Sequence, residues 1–206
     1  MAAALAGVLT SGCADEAAAA RVGDATLSDN DLMDEVEALY GNEALWASSD
    51  AEAGQPEGTA RKALVGDAKG SFTQQFVGGV LQQRVTFMLV EKLFEAEVGE
   101  LTDEDEAAAE EQLETRLEGF AEFPESYREQ QIQDYAKLIG VQTALGQQGF
   151  GEAMQQAIDK TDIEVSSRYG TWDAETFRTT EDLAVMPPAG PLPAPSSADA
   201  GADAGH

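Results

Sequence analysis

Histidine, cysteine and basic residues are scarce in this chain. Its one histidine is His206, its one cysteine is Cys13, and 12 Lys plus Arg stand against 39 Asp plus Glu. With so few imidazole and thiol groups, no Ser-His-Asp or Cys-His arrangement for nucleophilic catalysis can be assembled, and no histidine-cysteine zinc set. A lone cysteine makes no internal disulfide. The shortage of Lys and Arg leaves a formal charge of −27. Binding to phosphate backbones needs clustered cations, so no nucleic-acid partner is expected. Phosphate cradles are missing too, because Gly78-Gly79 and Gly149-Phe150-Gly151 lack the strand–loop–helix setting that a cradle requires. The apolar run Met1–Leu9 is far too short to span a bilayer.

Carboxylates, by contrast, are too abundant for any pair of them to point to a hydrolase. The acid run Asp103–Glu106 lacks the alternating ligands and central glycine of a calcium loop. It reads as the first turn of a helix, where the helix dipole favours negative charge. No metal, no cofactor and no enzymatic activity are therefore expected. The acidity itself reads as a solvated surface that keeps the chain soluble and discourages association with anionic surfaces.

The most informative stretch is Ser71–Val98. Phe72, Phe76, Val80, Leu81, Val85, Met88, Leu89 and Leu93 recur at spacings of three and four, the period of one helix face. From Val85 to Val90 the apolar residues spread round most of the circumference, which predicts a helix covered on several sides. Ahead of it, Arg21–Leu27 reads as a strand and turn with Gly23-Asp24 at the bend. Ser28 caps a helix with Asp31 in the capping-box position, Leu32, Val36, Leu39 and Tyr40 form its apolar side, and Gly41 ends it. Residues 42–70 are polar and rich in Gly, Ala and Ser. They read as a long surface loop with one helical turn near Leu45-Trp46 and another near Ala63–Val65. Such a length marks a mobile or functional segment.

Beyond the long helix, Gly99 closes the element and Thr102 caps the next, whose narrow stripe is Leu113, Leu117 and Phe120. Pro124 starts another helix with Tyr127, Ile132, Tyr135, Ala136, Ile139 and Leu145 on its face. A break at Gly146–Gly151 precedes a short helix with Met154 and Ile158 inward. Ile163-Glu164-Val165 alternates as a returning strand. The expected architecture is mainly α. Residues 1–12 form a signal remnant, 13–19 a tether, 20–175 one helical domain and 176–206 a disordered Pro/Ala/Gly/Asp-rich tail.

Leu9-Thr10-Ser11-Gly12-Cys13 resembles the end of a bacterial lipoprotein signal, in which small residues precede a cysteine that becomes the lipidated N-terminus. The resemblance implies lipidation of Cys13 and an extracytoplasmic chain anchored to the cell membrane. No basic segment precedes the run, and a start codon upstream of Met1 would supply one. Ala20–Ser28 followed by Asp31-Leu32 is similar to the opening of the N-terminal domain of SurA-type and PrsA-type foldases, with Gly23-Asp24 in place of an Asn-Gly turn. The run from Leu89–Leu93 through Gly99 to Thr102–Asp105 resembles the same family and trigger factor's chaperone arm. Ile163–Trp172 resembles the terminal strand of actinobacterial lipoproteins with SurA-like domains, Ser167 standing where a proline is usual. In these foldases a parvulin domain with paired histidines often follows the helical module. Only Gln147–Gly151 occupies that place here, and the one histidine lies in the tail, so prolyl isomerisation is not expected.

The resemblance implies a SurA N-domain-like helical module with a small two-strand pairing of its N- and C-terminal strands, and a chaperone-like protein that binds unfolded or secreted polypeptides. Phe72, Phe76, Phe87, Met88 and Phe94 would line its apolar crevice if the helices splay apart, and would be ordinary core if they do not. The alternative is a structural or adaptor lipoprotein docking one cell-envelope partner.

Overall fold

A computed structural model of the chain describes residues 17–173 and 178–180. The fold is mainly helical, with a small three-stranded antiparallel sheet. Strand β1 (Ala18–Val22) turns back on β2 (Ala25–Ser28) through Gly23-Asp24. Gly23 has φ +63°, and a Cβ there would lie 3.1 Å from the Lys92 Nζ that pairs with Asp24. Glycine is needed for both the left-handed backbone and the close approach. The other edge of β1 pairs with β3 (Ile163–Val165), Ala20 opposite Val165 and Val22 opposite Ile163. The two ends of the domain thus meet as neighbouring strands, as the resemblance to foldase N-domains implies, and β2 makes the pairing a three-stranded sheet in the order β2-β1-β3.

Helix α1 (Asp29–Gly41) starts where the Ser28 hydroxyl accepts from the Asp31 amide, and it buries Leu32, Val36 and Leu39. Asn42 then serves two helices. Its Oδ1 accepts from the Leu45 amide at 3.0 Å to begin α2 (Glu43–Glu52), and its Nδ2 donates to the Gly119 carbonyl at 2.8 Å. Residues 42–70 are therefore not the long loop expected from composition. The helical turns expected near Leu45-Trp46 and Ala63–Val65 are instead the longer α2 and, ending at Ala63, α3 (Thr59–Ala63), fastened by two buried polar anchors. Trp46 Nε1 donates to the Leu39 carbonyl at 2.8 Å, and the 1% exposed Asp50 accepts from the amides of Thr59 and Ala60 at 3.1 and 2.7 Å. A carboxylate receiving two free amides at a helix start replaces the hydration that those groups lose. The remaining turn closes through the Val65–Phe72 bridge and the Thr73 amide to the Leu64 carbonyl.

The predicted long helix is α4 (Gln74–Glu97), entered through Thr73, whose hydroxyl accepts from the Phe76 amide. Its buried residues include Phe76, Val80, Leu81, Val85, Phe87, Met88, Leu89, Val90 and Phe94, so it is covered on several sides as its wide apolar arc implies. Phe72 precedes the helix rather than belonging to its face. Helix α5 (Asp103–Arg116) opens with a reciprocal Thr102–Asp105 capping box. A 3-10 turn at Phe120–Glu122 leads into α6 (Glu125–Lys160), which packs along both α4 and α5. The break expected at 146–151 is confined to Gly146, with φ +67° and ψ 170°. That conformation is closed to side chains, and the helix resumes beyond it. The strands β4 (Thr171–Asp173) and β5 (Arg178–Thr180) pair antiparallel. β5 falls inside the stretch expected as tail from 176, since ladder hydrogen bonds to Thr171–Asp173 order a segment too polar to be read as core. Of the rest of that stretch, 176–177 and 181–206 lie outside the described residues, as do Cys13 and the signal-like run before it.

Candidate functional site

Where α1, α4 and α6 meet, three charged side chains lie almost out of solvent. The side chains of Glu35, Arg84 and Asp134 are 7%, 13% and 12% exposed. Glu35 Oε1 lies 2.9 Å from Arg84 Nε, an ion contact in which the Nε–H makes no hydrogen bond. Arg84 Nη1 donates to Asp134 Oδ2, and Gln130 Nε2 donates to Glu35 Oε1 at 3.1 Å. Two carboxylates thus share one guanidinium, and with both ionised the cluster holds one negative charge in excess.

Burial of that excess decides the protonation. Desolvation raises Glu35 from its ordinary 4.5 to about 7, although the Arg84 charge and the Gln130 hydrogen bond pull the other way. Asp134 is also raised by burial, against the opposing pull of Arg84 and Lys137. Asp134 has the aligned hydrogen bond from the guanidinium, so Glu35 is the carboxyl that takes the proton. The Tyr127 phenol is pushed up by burial and next by the Glu35 charge. For stability the sign is fixed by linkage. The folded chain holds the Glu35 proton more tightly than the unfolded chain, so this contribution is fully present below 4.5 and is lost as pH rises to about 7.

These residues were visible in the sequence only as interruptions. Glu35 stands three after Leu32 and one before Val36, Arg84 stands three after Leu81 and one before Val85, and Asp134 directly precedes Tyr135. Each charge therefore occupies the buried face of its helix, and three charges in apolar stripes are the signal that would have singled them out.

The aromatic candidates are placed differently from an open crevice. Phe76, Phe87, Met88 and Phe94 are 8%, 4%, 7% and 4% exposed. They belong to the core, because the helices pack closed around α4. Phe72 is half-buried, edge-on to Tyr40 at 5.1 Å and to Phe76 at 5.8 Å, and Trp46 continues the row at 5.9 Å from Phe76. Beside Trp46 lies a small open hollow of about 130 Å³ lined by Glu43, Ala47, Glu57, Gly58 and Arg61. Its Arg61 is engaged by Glu43 at 2.9 Å and lies over the Tyr40 ring. Apolar surface that remains half-covered runs along α6 past its kink, at Phe150, Met154 and Ile158, with Val98 exposed near the Cα of Gly140.

Among the described residues no cluster of His, Cys, Asp or Glu is placed to hold a metal, and no helix is long and apolar enough to cross a membrane. Comparison with protein-family models, with curated proteins and with solved structures finds no match to this chain.

Proposed function

We propose that the chain is a chaperone-like envelope lipoprotein with a helical module of SurA N-domain type, holding unfolded or secreted polypeptides without cofactor and without prolyl isomerase activity. The observation that carries this reading is the pairing of β1 with β3, which joins the two ends of the helical body as the resemblance to foldase N-domains implies. The helix runs on from the Gly146 kink to Lys160, which on this reading leaves no room there for a catalytic insert. Support for a client surface comes from the half-covered row Phe150, Met154 and Ile158. A flexible thioether between two apolar side chains suits weak, non-selective contact. The surplus of acids would keep a client-loaded chain soluble. Acylation of Cys13 would hold it at the membrane.

The full chain carrying Cys13→Ser should suppress aggregation of several unrelated unfolded proteins at near-stoichiometric ratio. Protection of none of them, together with tight capture of one envelope protein, would replace this reading with that of an adaptor. Membrane-extracted native protein should show a diacylglyceryl group on Cys13 by intact mass. Unmodified, freely soluble native protein would remove the anchor.

A further inference from the structure

Among the described residues, α1 is tied to the body by polar contacts at both ends, the one at Asn42 being buried, and by a buried ionic one in its middle. At its start, Asp29 pairs with Arg168 and accepts from the Tyr169 hydroxyl at 3.0 Å. At its end, Asn42 reaches the Gly119 carbonyl. Between them, Glu35 is the carboxyl that α1 inserts against Arg84 of α4 and against Gln130 and Asp134 of α6.

We propose that Glu35, Arg84 and Asp134 form a proton-operated clamp, which docks α1 on the α4–α6 pair when Glu35 is neutral and loosens it when Glu35 is ionised. The geometry carries this directly. With Glu35 protonated, Arg84 and Asp134 remain as a balanced, hydrogen-bonded pair, and Glu35 is a neutral acid beside Gln130. With Glu35 ionised, a second carboxylate shares a guanidinium whose Nε–H is not aimed at it, in a place water barely reaches. A buried excess charge is relieved by moving it into solvent. The carboxylate sits on α1, so α1 is the element that gains by lifting.

The other groups that face Glu35 do not cancel the excess. Asp31 of α1 adds to it, and Tyr127 of α6 is a neutral phenol. Lys137 of α6 offsets Asp134, and it is itself paired with Glu91 of α4 at 2.6 Å. Of the strands packed on α1, β2 carries no charged side chain, and β1 brings only Arg21, 3.6 Å from Glu164. Lifting α1 would uncover Leu32, Val36 and Leu39. On the function proposed above, this would offer clients a further apolar face above neutral pH. The clamp itself does not depend on that function.

Native-state hydrogen exchange on the full chain tests it, read on α1 amides after correction for intrinsic rates. Raising the pH from 5 to 8 should increase α1 opening by roughly 70-fold, given a Glu35 that titrates near 7 when docked and near 4.5 when released. Amides of Leu81 and Leu89 on α4 should not follow. In Glu35→Gln the increase should disappear. Opening of α1 that changes less than about threefold would overturn the clamp, and so would a Glu35→Gln protein that keeps the full pH dependence. Parallel loosening of α4 would assign the effect to global stability and overturn it equally. Should the variant not fold, the native chain decides alone: a Glu35 carboxyl carbon that titrates near its ordinary 4.5 refutes the proposal. Client capture is not read in any arm, so failure here leaves the chaperone reading standing.

Discussion

Arg84→Leu is expected to lower the unfolding free energy by about 3–5 kcal/mol at pH 8, the usual cost of removing one partner from a buried ionic group. Leucine fills much of the arginine stem's volume, so the loss reflects charge rather than packing. It leaves Glu35 and Asp134 facing each other across a dry interface with the single nearby guanidinium gone. The cost should shrink at pH 5. Arg84 lowers both carboxyls, and without it both are raised further by burial and mutual repulsion, so both bind protons and the repulsion vanishes. Urea midpoints at the two pH values measure this. A pH 8 midpoint equal to that of the native chain would show that water reaches the cluster. Replacing the whole set, Glu35→Leu with Arg84→Met and Asp134→Leu, should cost far less than Arg84→Leu alone, because no orphaned charge remains.

The second large effect is at Phe94. Phe94→Ala should cost about 3–5 kcal/mol, the range for deleting a buried aromatic ring. The ring is 4% exposed, and its Cε2 lies 3.3 Å from where a Cβ on Gly140 would be. Gly140 is thus the small residue that lets α6 approach α4 at this level, and removing the ring leaves a void that rigid helices fill only in part. Equilibrium denaturation reads the loss. An unchanged midpoint accompanied by reduced aggregation suppression would return Phe94 to the client surface and take it out of the core.

The same residues show what was legible beforehand. Ser28 and Thr102 cap helices through amides three positions away, so their signal is local and survives in the sequence; Thr73 caps α4 in the same way and went unread. The two terminal strands were readable from the alternation at Ile163–Val165 and the bend at Gly23-Asp24, while their pairing was expected only from the resemblance to foldase N-domains. The segment 42–70 misled, because its order comes from Trp46 and Asp50. Their partners Leu39, Thr59 and Ala60 stand seven to ten residues away. A composition rich in Gly, Ala and Ser carries no trace of such anchors. β5 was hidden likewise, since a three-residue strand exists only through the ladder it joins.

Periodicity and capping alone located the principal helices α1, α4, α5 and α6, since both act within one or two turns of the chain. Of the stripe expected on α5, however, only Leu113 lies in the helix, Leu117 and Phe120 falling beyond its end at Arg116. Only the tertiary structure decided that Phe76, Phe87, Met88 and Phe94 are covered rather than offered. Only the tertiary structure, too, brought Glu35, Arg84 and Asp134 together from three helices, with Arg84 and Asp134 fifty residues apart. An acid on an apolar stripe is a local oddity. It acquires a raised proton affinity when the fold removes its water and supplies half a counter-ion, and neither can be read from neighbours in the chain.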